Sequence, residues 1–225
     1  MVKPAVAIMS RVPSIGGKSR LGGVLSPAQR EALQWAFLED TLAKVRRLTE
    51  FKSYIAATPA AEINKLSGVL GPGEEVINQP GGDLGQRMFG VARKLFARGH
   101  SPVVLIGTDT PVLPPSSLQN SLCLLNHSDL VFGPAYDGGY YLIGMGCLER
   151  RVFDNIDWGT EMVLEKTLSV CRSSNLTYSL LDGLMDVDRP DDLLALAEQL
   201  RQGQTKLDPV PVRTIQFLKS IGRMK

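Results

Sequence analysis

Apolar and polar positions along this chain switch repeatedly between a strand period and a helix period. Residues 4–9 (Pro-Ala-Val-Ala-Ile-Met) form an apolar run closed by Ser10 and Arg11, the pattern of a short buried strand. Over 27–48, Ala32, Leu33, Ala36, Phe37, Leu42, Val45 and Leu48 recur at helical spacing. Ser26, Pro27 and Gln29 supply a capping hydroxyl, a proline at the first helical position and a capping-box amide. Strands are predicted at 54–57 and 75–77, with a short helix over 60–67 and a turn at 71–73 between them. Asp83 and Gln86 mark the start of a helix over 84–98. Val103–Ile106 is the most strand-like run, and Pro114-Pro115 opens a helix reaching about Leu125. Strands at 129–132 and 140–143 flank a glycine turn. A helix over 160–172, with Thr160 as a possible cap, a strand at 178–181 and a helix over 190–202 follow. From Gly203 onward, a Pro209–Pro211 break and a basic end suggest a peripheral helix or a tail.

Repeated strand–helix–strand units predict an α/β fold with a mostly parallel sheet and helices on both faces. The link between 129–132 and 140–143 is too short for a helical crossover, so at least one strand there is expected to be antiparallel or displaced. The length of 225 residues fits one domain, expected over 1–203, with 204–225 as the tail or peripheral helix. In such sheets ligands bind beyond the carboxyl ends of the strands.

Charge removes several classes. Twenty-five basic against 23 acidic residues leave a net charge of +2, too balanced for an electrostatic nucleic-acid binder. The hydrophobic share of 44% argues against disorder, and no apolar run approaches the ~18 residues of a membrane span. The first apolar segment is too short for a secretory signal, so the cytoplasm is the expected location. Cys123, Cys147 and Cys171 are odd in number and contain no CxxC pair, which suggests neither disulfides nor zinc. His100 and His127 read as solvated loop residues without a role.

Four segments after the strands carry the candidate chemistry. Ser10 to Leu21 holds Gly16, Gly17, Lys18 and Arg20: glycines that let a ligand approach the backbone, and cations for phosphate. It ends like a Walker A loop but has Val12 where the first glycine belongs, which weakens a kinase or phosphohydrolase reading. Gly107-Thr-Asp-Thr-Pro111 puts Asp109 at a strand end, either as a ligand of Mg²⁺ or Mn²⁺ or as an ordinary turn aspartate. In 186–193, Asp191 and Asp192 suit a helix start. Asp186 and Asp188 share a side if extended, and Asp188 is either a helix cap or a second metal carboxylate. Gly133 to Tyr141 is a third glycine loop, with Asp137, Gly138, Gly139 and Tyr140, where a sugar or base can pack on backbone. Trp158 and Thr160 could form a further wall.

Gly17-Lys-Ser-Arg-Leu21, Phe37–Thr41, Gly82–Met88, Val103–Pro111, Gly133–Gly144, Trp158–Thr160 and Asp186–Leu193 together resemble the bacterial selenodomain-associated transferase family, itself similar to nucleotide-diphospho-sugar transferases. The resemblance spans about 4–200. It implies a Rossmann-like three-layer α/β/α glycosyltransferase-A fold that binds a nucleotide diphosphate with a divalent cation. Lys18–Leu21 and Leu25-Ser-Pro27 are also similar to guanylyltransferases acting on 2-phospholactate. By resemblance, Asp109 and Asp188 fall where such folds hold the metal, and Lys18 and Arg20 on the phosphate loop. The sequence departs from the family pattern at Ser19, Gln86, Thr110 and Arg189.

The expectation is a metal-dependent transferase with a nucleotide-activated donor, first as a glycosyltransferase using a nucleotide sugar. The alternatives are a nucleotidyltransferase acting on a small phosphorylated acceptor and a non-catalytic nucleotide-binding protein. Lys18, Asp109 and Asp137 are the catalytic candidates, with Asp137 orienting an acceptor or acting as base. Gly16, Gly17, Lys18, Arg20, Asp83 and Arg87 are expected at the nucleotide and its phosphates, and Gly138, Gly139, Tyr140, Trp158 and Thr160 at the acceptor.

Overall fold

In a computed structural model, which describes residues 3–203 and 207–224, the strands are β1 (Ala5–Arg11), β2 (Lys52–Thr58), β3 (Glu75–Asn78), β4 (Val103–Ile106), β5 (Leu130–Pro134), β6 (Tyr140–Met145) and β7 (Tyr178–Leu180). They form one sheet in the order β3-β2-β1-β4-β6-β5-β7. Six strands run the same way. Only β6 is reversed, antiparallel to β4 and to β5, as the short 135–139 link requires.

The helices are α1 (Pro27–Val45), α2 (Leu84–Ala97), α3 (Pro115–Leu124), α4 (Val163–Ser173), α5 (Pro190–Gly203) and α6 (Val212–Ser220). Alternation along β1 divides the core. Ala5 and Ala7 face Met88, Val91 and Leu95 of α2 and Leu168 of α4. Val6 and Ile8 face Leu38 and Leu42 of α1 and Leu118 of α3. The result is a three-layer α/β/α arrangement with a mostly parallel sheet. Each fully buried Leu or Ile contributes about 1.5–3 kcal/mol. A third cluster joins Leu33 and Phe37 of α1 to Leu196 of α5 and Leu218 of α6.

Local signals set the helix starts. Both capping boxes form, Ser26 with Gln29 and Asp83 with Gln86. The helix expected at 160 begins at Val163 instead: the Thr160 hydroxyl donates to the Asp157 carbonyl and accepts the Met162 N–H at 3.4 Å, serving a turn ahead of α4. The short helix over 60–67 is a 3-10 segment, Ala60–Val69. The chain after Gly203 contains α6; of the segment expected as tail or peripheral helix, 204–206 and 225 lie outside the described residues. The carboxylate of Asp40 on α1, 4% exposed, accepts the N–H groups of Arg213 and Thr214 and so anchors the start of α6. His100 is held rather than solvated: Nε2 meets the Tyr54 hydroxyl at 2.8 Å and Nδ1 the Lys3 carbonyl at 2.9 Å.

Candidate active site

A cavity of about 500 Å³ opens where β1 and β4 end and β6 begins. The loop after β1 forms one wall. Side chains of α1 hold this loop from behind: Gln34 donates to the Ser14 carbonyl, and Arg30 to the carbonyls of Ile15 and Gly17. With those carbonyls occupied, Gly16 and Gly17 line the cavity. A Cβ on Gly16 would meet nothing within 4 Å. No protein acceptor is seen for the N–H of Gly16 or Lys18 among the described residues. Such free amides suit an anion.

Lys18 adopts a left-handed backbone conformation (φ 49°, ψ 42°), and its side chain is only 7% exposed. Nζ donates to the Val187 carbonyl at 2.5 Å, lies 2.9 Å from Asp109 Oδ1 and 3.8 Å from Asp188 Oδ1. The Val187 N–H in turn donates to the Asp109 carbonyl at 2.8 Å. Three segments far apart in sequence are thus knotted at one rim. The Asp192 carboxylate reaches back to accept the N–H groups of Asp188 and Arg189, just ahead of α5.

The rim is crowded with negative charge. Asp186 is pushed up to about 6, first by burial and then by Asp137 and Asp109, with Lys18 opposing. Arg11 and Arg87 line the cavity, and neither is paired with a carboxylate among the described residues. The Arg87 guanidinium is aimed by donation from Nε to the Gly82 carbonyl. Asp137 accepts the Gly139 N–H at 2.8 Å. Trp158 stands edge-on to Tyr140, with ring centroids 6.2 Å apart. A Cβ on Gly85 of α2 would lie 2.5 Å from the Trp158 indole nitrogen, so glycine is what lets this wall close on α2.

Gly16, Gly17, Lys18, Arg87, Asp109, Asp137, Gly139, Tyr140, Trp158, Thr160 and Asp188 therefore share one cavity. Three expected site residues stand apart from its lining. Arg20 turns its guanidinium onto Asp188. The Asp83 carboxylate is used in the α2 cap. Gly138 (φ +89°) packs on the Glu161 carbonyl. The Tyr140 hydroxyl is buried without a partner, so this residue lends its ring, not its oxygen. Gln34, Gln79 and Arg11 also line the cavity and were not singled out; as lone polar residues on a helix, in a loop and at a strand end they carry no motif.

A divalent cation is tested by the donor set. No three His, Cys, Asp or Glu side chains converge as a closed metal cage among the described residues. Mg²⁺, however, takes one or two carboxylates and completes its shell with phosphate oxygens and water. Asp109 and Asp188 offer two such carboxylates, and the Lys18 ammonium already lies between them as a cation. The residues fit a cation delivered with a phosphate ligand.

The chain belongs to the family described as "Uncharacterized protein conserved in bacteria (DUF2064)", whose profile matches residues 41–160. That span includes Asp109 and Asp137 but not Lys18 or Asp188. Among curated proteins, the chain is 27% identical over 205 residues to a 3-phospho-D-glycerate guanylyltransferase of Phenylobacterium zucineum, covering 86% of this chain and 89% of the relative. It is 24% identical over 185 residues to a 2-phospho-L-lactate guanylyltransferase of Methanocorpusculum labreanum, covering 81% and 78%. Among solved structures, a protein of Desulfovibrio desulfuricans G20, described as a nucleotide-diphospho-sugar transferase, superposes with a TM-score of 0.88 at 30% identity over 98% of this chain and 97% of that one.

Proposed function

We propose that this member of the DUF2064 family transfers a nucleotidyl group from a nucleoside triphosphate, with guanosine triphosphate preferred, to a small phosphorylated carboxylic acid. The observation that carries the reading is the meeting of Lys18, Asp109 and Asp188 on one cavity, with two unpaired arginines, Arg11 and Arg87, in its wall. The named relatives support nucleotidyl transfer better than the sugar transfer expected first, since both are guanylyltransferases acting on phosphorylated carboxylic acids.

In this reaction an oxygen of the acceptor phosphate attacks the α-phosphorus. The bond from that phosphorus to the β-bridging oxygen breaks, and pyrophosphate leaves. The loop amides and Lys18 neutralise negative charge that grows on the departing phosphates. Arg11 and Arg87 hold outer phosphates or the acceptor carboxylate by forked donation. Asp109 and Asp188 would hold Mg²⁺ or Mn²⁺, which supplies electrophilic stabilisation of the phosphate oxygens. A phosphate acceptor is already ionised near neutral pH, with a second pKa of about 6. It needs no general base, so Asp137 orients the acceptor rather than deprotonating it. A sugar transferase acting on a hydroxyl would need that base.

The test offers the protein each nucleoside triphosphate with 3-phosphoglycerate, 2-phospholactate or phosphoenolpyruvate and Mg²⁺, and follows pyrophosphate. Nucleotide sugars are run in parallel with hydroxyl acceptors. Pyrophosphate release with a phosphorylated acid is expected, and Asp109→Asn should lower it about 100-fold or more, as loss of a major electrostatic contact does. Nucleoside diphosphate from a nucleotide sugar, with no pyrophosphate from any triphosphate, would overturn the reading. Tight binding without turnover would favour the non-catalytic alternative.

A further inference from the structure

One buried ionisable group has no part in the chemistry above. Lys44, in the last turn of α1, is 2% exposed. Burial pulls its ammonium down to about 8, against the opposing pull of Asp40 one turn earlier. A methionine of similar length would fill the same slot without that cost. The lysine differs from it by one contact: Nζ donates to the Pro111 carbonyl, 67 residues away in sequence.

Pro111 closes the segment that carries Asp109. Above, the Asp109 carbonyl is held by the Val187 N–H. At the start of the turn, the Gly107 N–H donates to the Tyr141 carbonyl. At its end, Lys44 of α1 donates to the Pro111 carbonyl. Without it, a buried carbonyl would lose its donor, and the turn would keep only its other tethers.

We propose that Lys44 is a positioning residue, whose ammonium pins the 107–111 turn at its end and so sets where Asp109 faces Lys18 and Asp188. Its link to catalysis rests on the proposed nucleotidyl transfer. The pinning itself does not. Asp40 extends the support, because the same face of α1 that carries Lys44 also anchors the start of α6. A cavity of about 440 Å³ beside Lys44 and Pro111 leaves room for a longer cation.

The test compares Lys44→Met and Lys44→Arg with the unaltered full chain, by amide hydrogen exchange without substrates, by melting temperature and by steady-state kinetics. In Lys44→Met, exchange in 107–113 should rise about fivefold or more while β2 stays unchanged, a local opening rather than a global one. The melting temperature should fall by about 5 °C, because the buried Pro111 carbonyl is left without its donor and Asp40 without its cation. The kcat should fall about tenfold, the usual loss when a supporting partner of a metal-facing group is removed. The KM for the triphosphate should stay within about twofold, and Lys44→Arg should recover most of the loss. Unchanged exchange in 107–113, or a rise spread evenly over the chain, overturns the proposal. So does unaltered kcat with a loosened turn. If Lys44→Met does not fold, Lys44→Gln is read by the same criteria, and failure of both to fold assigns the lysine to stability alone and also overturns it. If the unaltered chain shows no turnover, the functional reading fails by itself and the exchange result still decides whether Lys44 pins the turn.

Discussion

The two glycine loops that face each other across the cavity look alike in sequence and are built for opposite ends. In the loop after β1, a Cβ on Gly16 meets open space, and one on Gly17 meets only the flexible end of Gln34. In the loop before β6, a Cβ on Gly138 would lie 2.0 Å from the Glu161 carbonyl oxygen, at φ +89°, and in β5 just ahead of that loop one on Gly133 would lie 2.4 Å from the Tyr141 ring. The first loop leaves open space on the cavity wall. The second uses the missing side chain to let protein pack on protein. A glycine pair is therefore no sign of a ligand until its surroundings are known.

Substitutions separate the two uses. Gly138→Ala has the largest expected effect, because it combines a left-handed backbone with a collision against main chain. A loss of about 3 kcal/mol in denaturant unfolding is expected. A loss below about 0.5 kcal/mol would erase the contrast between the loops. Gly16→Ala should leave unfolding within about 0.5 kcal/mol of the parent yet raise the KM for the nucleotide about tenfold, since in the proposed reaction the methyl group would take the space of a phosphate. An unaltered KM would mean that the phosphates lie elsewhere.

The smallest effect lies on Asp186, which lines the same cavity beside Asp137 and Asp109. Its folded pKa of about 6 stands above the ordinary 3.8, so the folded protein holds the proton more tightly than the unfolded chain. Stability is lost as pH rises from about 4 to about 6, and the penalty is complete above that range. Asp186→Asn should thus stabilise the protein at pH 7 by about 1 kcal/mol, after discounting for its half-exposed position, and the advantage should vanish near pH 4. Thermal melts at both pH values check the sign; an advantage that grows on acidification would be incompatible with a raised pKa.

What the sequence disclosed follows the range of the forces involved. Ser26 with Gln29 and Asp83 with Gln86 act over three residues, and both boxes form where their spacing predicts. The reversal of β6 was legible because five intervening residues leave no room for a crossover. The sheet, its flanking helices and the carboxylates at the strand ends were legible for the same reason. Thr160 misled because its hydroxyl serves the turn before the helix, donating to the Asp157 carbonyl and accepting the Met162 N–H, and α4 starts three residues later. The pairings of Arg20 with Asp188 and of Lys44 with Pro111 stayed hidden because they span 168 and 67 residues, and no local pattern records such a pairing. Asp83 was legible twice over, as a cap and as a possible ligand contact, and the backbone N–H of Gln86 claims its carboxylate.

The left-handed step at Lys18 has a consequence for anyone who wishes to silence this protein without disturbing it. A side chain with a Cβ costs about 1 kcal/mol in that conformation, and glycine costs almost nothing there. Alanine discards the cation and keeps the backbone cost that lysine already carries, so a change in activity reports on the ammonium alone. Glycine discards the cation and lifts that cost together, so two variables move at once and alanine is the cleaner eraser at this one position.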